Sequence, residues 1–313
     1  MKNSSLFLLM TGLLSALFFS ATFVLNRTIS LEGGHWFWSA GLRFAFTLSF
    51  LSVGIILFKG IGYFKQILVE FRTHFRFWVV AGTVGFGFFY GLICFAADFA
   101  PGWIVATTWQ FTIIASLFVL ALFGRRLSPL IWLFTCIVVA GITLVNISHF
   151  ETGDVGALLL GILPVLGAAF SYPLGNQLVW ENKHKRIALN DPGVLLLNNA
   201  FVKVFLLTLG SFPLWIVLFL TLDVSTPSTE QALNVAMIAL LSGIIATSLF
   251  LYARNHADTP AKLMVVDATQ SGEVFFALAG EVLFLGAALP GLLGVSGILV
   301  TLLGLILLTK FNK

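Results

Sequence analysis

The stretch Ala257–Leu285, ADTPAKLMVVDATQSGEVFFALAGEVLFL, opens on a polar turn and Pro260 and then runs apolar for a membrane thickness. Within that run stand Asp267, Gln270 and Glu273. An acid at the centre of a helix that crosses hydrocarbon costs about 2.5–3.5 kcal/mol on insertion scales, so such groups pair, face a polar interior, or serve a function. On an unbroken helix the three fall within an arc of about 120°, one face that a cavity can use. Burial also disfavours the charged form of a carboxylate, a property that a proton-coupled carrier needs.

An earlier stretch repeats the pattern. Ala97–Leu127, ADFAPGWIVATTWQFTIIASLFVLALFGRRL, begins with the same Ala-Asp pair and holds Gln110 where the later one holds Gln270. Asp98 to Asp258 and Gln110 to Gln270 are both steps of 160 residues. Gly33 with Gly193 and Arg43 with Lys203 keep the same step, and Phe19-Ser20 with Phe170-Ser171 and Asn26 with Asn176 match more loosely. A shared period across a whole chain is a duplication signal.

Composition agrees with a membrane chain. Of 313 residues 59% are hydrophobic and only 10% charged, mean hydropathy is +1.02, and soluble domains carry about 25% charge. Ten apolar spans can be drawn, at about 5–25, 35–58, 77–97, 102–123, 130–148, 155–180, 195–221, 232–252, 262–284 and 287–309, each near the ~20 residues that a crossing helix needs. The first, behind Lys2, is longer than a signal-peptide core and lacks an A-x-A site, so it is expected to be retained. Cys94 and Cys136 lie inside apolar runs and are expected to be reduced packing residues.

With the N-terminus in the cytoplasm, 14 of the 17 lysines and arginines fall on the cytoplasmic side, from Lys2 through Lys59, Lys65, Arg72, Arg76, Arg125, Arg126, Lys183, Lys185, Arg186, Arg254 and Lys262 to Lys310 and Lys313. The outer loops keep Arg27 and the acids Glu32, Glu151, Asp154, Asp223 and Glu230. That asymmetry is the positive-inside pattern. It directs the basic surplus to anionic lipid headgroups and away from nucleic acid. The expected protein is an all-α polytopic membrane protein of the cytoplasmic membrane with both termini inside. Ten spans halve into five and five, at 1–150 and 151–313. An odd number inverts the second half, the arrangement of carriers that open a central site to each side in turn.

In these features the whole chain resembles the EamA-like branch of the drug/metabolite transporter superfamily. The resemblance rests on the five-plus-five inverted repeat, Pro101 and Pro260 at the starts of spans 4 and 9, Gly280-Glu281-Val282-Leu283, and Gly294, Gly297 and Gly304 in the last span. Tyr172-Pro173-Leu174-Gly175-Asn176-Gln177 is similar to a branch of multidrug-resistance efflux proteins. The first half departs from the family, with Arg125-Arg126 where Glu is usual. The resemblance implies transport of a small organic molecule, a drug-like compound or a metabolite, and leaves the substrate and the oligomeric state open.

Candidate site residues follow from polarity at depth. Arg43 and Lys203, each about ten residues into a span, fit either a structural pair with Asp267 or Glu273 or a counter-charge for a substrate. Gln110, Gln270, Asn198 and Asn176 add amides, and Trp109 and Tyr90 add aromatic walls. Trp36, Trp38 and Trp103, near span ends, read as interface belts. Gly82, Gly85, Gly87 and Gly91 read as close helix packing, and Pro164, Pro173 and Pro213 as kinks. No phosphate loop, H-E-x-x-H or nucleophile elbow is present, and His35, His74, His149, His184 and His256 are scattered. No enzyme, cofactor or metal is therefore expected. A proton-coupled carrier and a gradient-independent exporter of amino acids or other metabolites both fit.

Overall fold

The computed structural model describes residues 5–124, 129–149, 155–257 and 260–311, and every regular element among them is a helix. Lys2, Arg125, Arg126, Glu151, Asp154, Asp258 and Lys313 lie outside the described residues. Lipid offers the backbone no hydrogen-bond partner, so chain that crosses it must satisfy its own amides, and helices do this. Seven stretches are long and apolar enough to cross: Leu6–Leu31, Trp36–Lys59, Phe75–Ala96, Gly102–Leu122, Val155–Ala188, Ala200–Thr221 and Thr229–His256. Two shorter apolar helices occupy Leu133–Ser148 and Leu292–Leu307. The chain is a multi-pass membrane protein.

Several stretches are not single regular helices. Phe75–Ala96 is α4 (Phe75–Gly82), a π segment (Thr83–Phe88) and α5 (Phe89–Ala96), preceded by α1 (Ser5–Leu31), α2 (Trp36–Lys59) and α3 (Ile61–Thr73). The next stretch divides at Gln110 into α6 (Gly102–Trp109) and α7 (Phe111–Leu122). After α8 (Pro129–His149), α9 (Val155–Ala188) and α10 (Ala200–Thr221), a second π segment (Ala239–Ala246) joins α11 (Thr229–Ile238) to α12 (Thr247–His256). The stretch 260–285 is α13 (Pro260–Ala268), a 3₁₀ turn (Thr269–Ser271) and α14 (Gly272–Leu285), and α15 (Leu292–Phe311) follows.

Helix packing in lipid gains little from hydrophobicity and depends on close approach. Gly85 and Gly175 meet backbone to backbone where the first π segment crosses α9, and a Cβ on Gly85 would lie 2.8 Å from the Gly175 Cα. Gly210 on α10 meets the Trp78 carbonyl of α4, and Gly297 and Gly304 on α15 meet Val145 and Val138 of α8. α7, α8 and α15 share a small core of Ile114, Val138, Ile142 and Leu305. The main core joins Phe37, Phe44, Tyr90, Trp103, Trp215 and Val274. A second, around Ile67, Trp78, Leu197 and Phe205, fills the end of the bundle that carries α3. That end also carries Lys59, Lys65, Arg72, Arg76, Lys183, Lys185 and Arg186 and is called the basic end below.

Some expected boundaries move, for local reasons. α1 reaches Leu31, so Arg27 lies on a helix and not in a loop. The loop expected after span 2 is α3, whose apolar spacing buries Ile67 and half-buries Tyr63, Phe64 and Phe71. α9 continues through Glu181-Asn-Lys-His-Lys-Arg-Ile-Ala188, mostly good helix formers, past the end of its apolar run. α10 starts only at Ala200, because Asp191 and Pro192 begin a 3₁₀ turn and Asn199 caps the helix by accepting from the Phe201 amide at 3.0 Å. Trp103 is 7% exposed, a core residue and not part of an interface belt. Pro164, Pro173 and Pro213 all lie inside continuous helices.

Candidate functional site

A polar cluster sits inside the bundle where α1, α2, α5 and the second π segment meet. Arg43, half-buried on α2, donates from Nη2 to the Ser242 hydroxyl at 2.8 Å. Its guanidinium carbon stands 3.8 Å over the Tyr90 ring, a geometry in which a cation is drawn to the ring face. Tyr90 is fully buried, and its hydroxyl accepts from Asn26 Nδ2 at 3.1 Å. Thr22 donates to the same Ser242 hydroxyl at 2.8 Å. The Asn26 Oδ1 and Thr47 Oγ1 atoms are buried without a partner. The π segment matters here, since its wider turn carries Ser242 into the gap between α1 and α2, and such segments recur at functional positions.

The three polar residues of 260–285 have different surroundings. A 3₁₀ turn at Thr269–Ser271 stands between Asp267 and Glu273. Asp267, on α13, lies 3.3 Å from Arg254 Nη1 at the end of α12, both side chains partly exposed. Its partner is therefore neither Arg43 nor Lys203. Gln270 sits in the turn with its Nε2 buried and unbonded. Glu273, in the first turn of α14, is 7% exposed. Among the described residues it has no hydrogen-bond or ion-pair partner.

The other candidates are spread further. Gln110 stands at the break between α6 and α7 and is 3% exposed, reaching only the Ala106 carbonyl at 3.4 Å. Trp109 packs on Phe89 with ring centroids 4.9 Å apart and on Tyr172 at 5.8 Å, and Tyr172 packs on Phe89 at 5.0 Å, an aromatic wall between α5, α6 and α9. Asn176 is exposed and bonded to the Tyr172 carbonyl of its own helix. Lys203 is half-buried in the first turn of α10, and Asn198 is exposed at the end of the 3₁₀ turn that precedes that helix.

Two tight charge sites close the ends of the bundle. At the basic end Arg186 of α9 forks onto Glu70 of α3, at 2.6 Å and 2.8 Å, while its Nε reaches Asp191 at 2.7 Å. The Trp78 indole donates to Glu70 at 3.2 Å, and the Gly193 amide to Asp191 at 2.8 Å. A Cβ on Gly193 would lie 2.9 Å from Arg186 Nη2, so a larger residue would push on this contact. The contact with Arg186, and then that with the Gly193 amide, hold the Asp191 carboxyl below the usual aspartate range. At the opposite end Glu281 of α14 is 1% exposed and accepts from the first amides of α6, Gly102 at 2.6 Å and Trp103 at 3.2 Å. A carboxylate there is stabilised by the helix N-terminus. Arg27 donates to the Ala97 carbonyl at 2.8 Å beside it.

Sequence reasoning had not placed Thr22, Ser242, Glu70 or Glu281 in any site. Arg186 reads in the sequence only as one of the cytoplasmic basic residues, and Glu70, 116 residues away in the chain, becomes its partner only in space. Asn26 was visible only as a repeat match. Glu281 carried a signal, as the charge inside the Gly-Glu-Val-Leu ending of an apolar span. Among the described residues no group of His, Cys, Asp and Glu is arranged to hold a metal.

Comparison with known proteins adds to this geometry. Residues 6–313 match the family model described as "EmrE: Putative multidrug resistance efflux transporter". The uncharacterized protein YjlA of Bacillus subtilis (strain 168) is 38% identical, over 95% of this chain and 93% of its own length. An uncharacterized 42.1 kDa protein of Shouchella clausii, encoded in the intracellular alkaline protease 3′ region, is also 38% identical, over 85% of this chain and 69% of its own. A solved crystal structure at 16% identity superposes with a TM-score of 0.57 over 96% of this chain and 97% of that one, a likeness of fold alone.

Proposed function

Since this chain belongs to that EmrE-type efflux transporter family, we propose that it is a secondary carrier that exports a small organic molecule by alternating access, built from two inverted five-helix halves. The observation that carries the proposal is the matched pair of helix breaks, at Gln110 and at Thr269–Ser271. They stand at the same step of 160 residues that relates the two halves. The π segments 83–88 and 239–246 recur at nearly that step. Neighbours exchange in the same way. α1 packs on α11–α12 and α13–α14, while α9 packs on α4–α5 and α6–α7. Interrupted helices at corresponding positions of two halves are how carriers build a central site.

The basic end is the cytoplasmic end on this reading, and the Glu70–Arg186–Asp191 contact is a cytoplasmic closure that opens during the cycle. Glu273 supplies the coupling. An unpartnered carboxylate at this depth is tolerated when it carries a proton, so gaining and losing that proton gives an ion gradient a hold on the cycle. Asp267, neutralised by Arg254, is a structural pair. The test is transport in proteoliposomes under an imposed pH gradient. Glu273→Gln is expected to abolish gradient-driven accumulation while leaving downhill exchange, and Asp267→Asn to leave both. Gradient-driven transport that survives Glu273→Gln would remove the coupling role and leave a gradient-independent exporter.

A further inference from the structure

Arg43 has five N–H donors on a planar guanidinium. One donor goes to Ser242, and the guanidinium also interacts with the Tyr90 hydroxyl. The other buried or half-buried arginines with a named contact are compensated. Arg186 holds Glu70 and Asp191, and Arg27 holds a main-chain carbonyl beside Asp98. Arg43 has no carboxylate within ion-pair distance among the described residues. Its charge is met by Tyr90 and by the Ser242 hydroxyl. Beside it the 3%-exposed Asn26 holds its amide to Tyr90 and leaves Oδ1, an acceptor, buried without a donor. A guanidinium with donors to spare thus lies next to a buried acceptor without a donor.

We propose that this cluster binds the anionic end of the transported molecule, an organic acid. The guanidinium of Arg43 takes the carboxylate, a geometry that arginine matches two bonds at a time. Asn26 Oδ1 accepts an N–H or O–H on the carbon next to that carboxylate. The adjacent rings of Phe44 and Trp215, centroids 5.7 Å apart, favour an apolar body beyond it. The substrate class is then a 2-hydroxy or 2-amino acid with an apolar side chain, and not a lipophilic cation, which Arg43 would repel. This assignment rests on the reading of the chain as a carrier.

The test uses the purified full chain with four probes: a 2-hydroxy acid with an apolar side chain, its 2-deoxy analogue, its neutral amide, and tetraphenylphosphonium. Binding is read by thermal stabilisation and transport by uptake into proteoliposomes. The hydroxy acid is expected to bind and move, with the amide weaker by roughly tenfold or more, the size of a charged hydrogen bond. Arg43→Gln is expected to erase the preference for acid over amide. Asn26→Leu is expected to erase the preference for the hydroxy acid over its deoxy analogue while keeping that for acid over amide. Arg43→Lys keeps the charge and serves where Arg43→Gln does not fold, with acid binding weakened and not lost. Equal binding of acid and amide, preference for the cation, or acid binding that ignores Arg43 would each overturn the proposal. Uptake of the cation alone would spare the carrier reading and sink this one. Binding of the acid without any uptake would sink the carrier reading, and with it the claim that the bound acid is transported, while leaving the acid-binding site itself.

Discussion

Arg186 tests how much geometry adds to charge at the basic end. Its fork spans both Glu70 oxygens while Nε holds Asp191, so a lysine keeps the charge and loses the bidentate bond. Arg186→Lys is therefore expected to lower the thermal denaturation midpoint of the purified protein, and Glu70→Ala to lower it further. The latter leaves a buried arginine half-compensated, a loss of about 3–5 kcal/mol when one partner of such a pair goes. Because the Asp191 carboxyl is held below its ordinary range, its contribution is complete above about pH 4 and is lost as pH falls through the lowered value. Acid scans should show this loss in the wild type and its absence in Asp191→Asn. Glu281, capping α6 from another helix, makes a separate prediction. Glu281→Ala should cost on the order of 2 kcal/mol, a charged hydrogen bond, and it can be read in the same melting experiment. At this scale the sequence was informative about chemistry and silent about pairing. Asp267 and Glu273 were visible as buried acids, but their fates divide because Arg254, at the end of another helix, reaches only the first.

Helices were legible where hydropathy decides them, and illegible where a turn or a change of helix type does. The spans of α2 and α15 follow directly from their apolar runs. The break at Thr269–Ser271 left no Gly-Pro punctuation inside the run, and Thr-Gln-Ser is only mildly poor at forming helix. Its trace in the sequence was indirect, the repetition of Gln110 at Gln270. The π segments left less, a Gly-x-Gly at 85–87 and Ser242-Gly243. If the break serves movement, regularising it should trade function for stability. Thr269→Ala, Gln270→Leu and Ser271→Ala together are expected to raise the melting midpoint and to slow proteoliposome uptake several-fold. Higher stability with unchanged uptake would show the interruption to be incidental.

For the molecule as a whole, the asymmetry of lysine and arginine, the step of 160 residues and the length of the apolar runs all pointed to a bundle crossing the membrane many times, and the fold agrees in that every regular element among its described residues is a helix. What sequence could not supply was the pairing at the two ends of the bundle, since Glu70 with Arg186 and Glu281 with the start of α6 join segments far apart in the chain. The central claim is that one interior site opens to each side in turn. Thr47, 4% exposed with its hydroxyl unbonded and one turn from Arg43, is the place to test it. With Cys94 and Cys136 replaced, Thr47→Cys would be treated with a membrane-impermeant thiol reagent in right-side-out and in inverted vesicles. Alternating access predicts labelling from both sides, with Arg186→Ala shifting reactivity toward the cytoplasmic side at the expense of the outer one. Labelling from one side only, indifferent to Arg186, would contradict it.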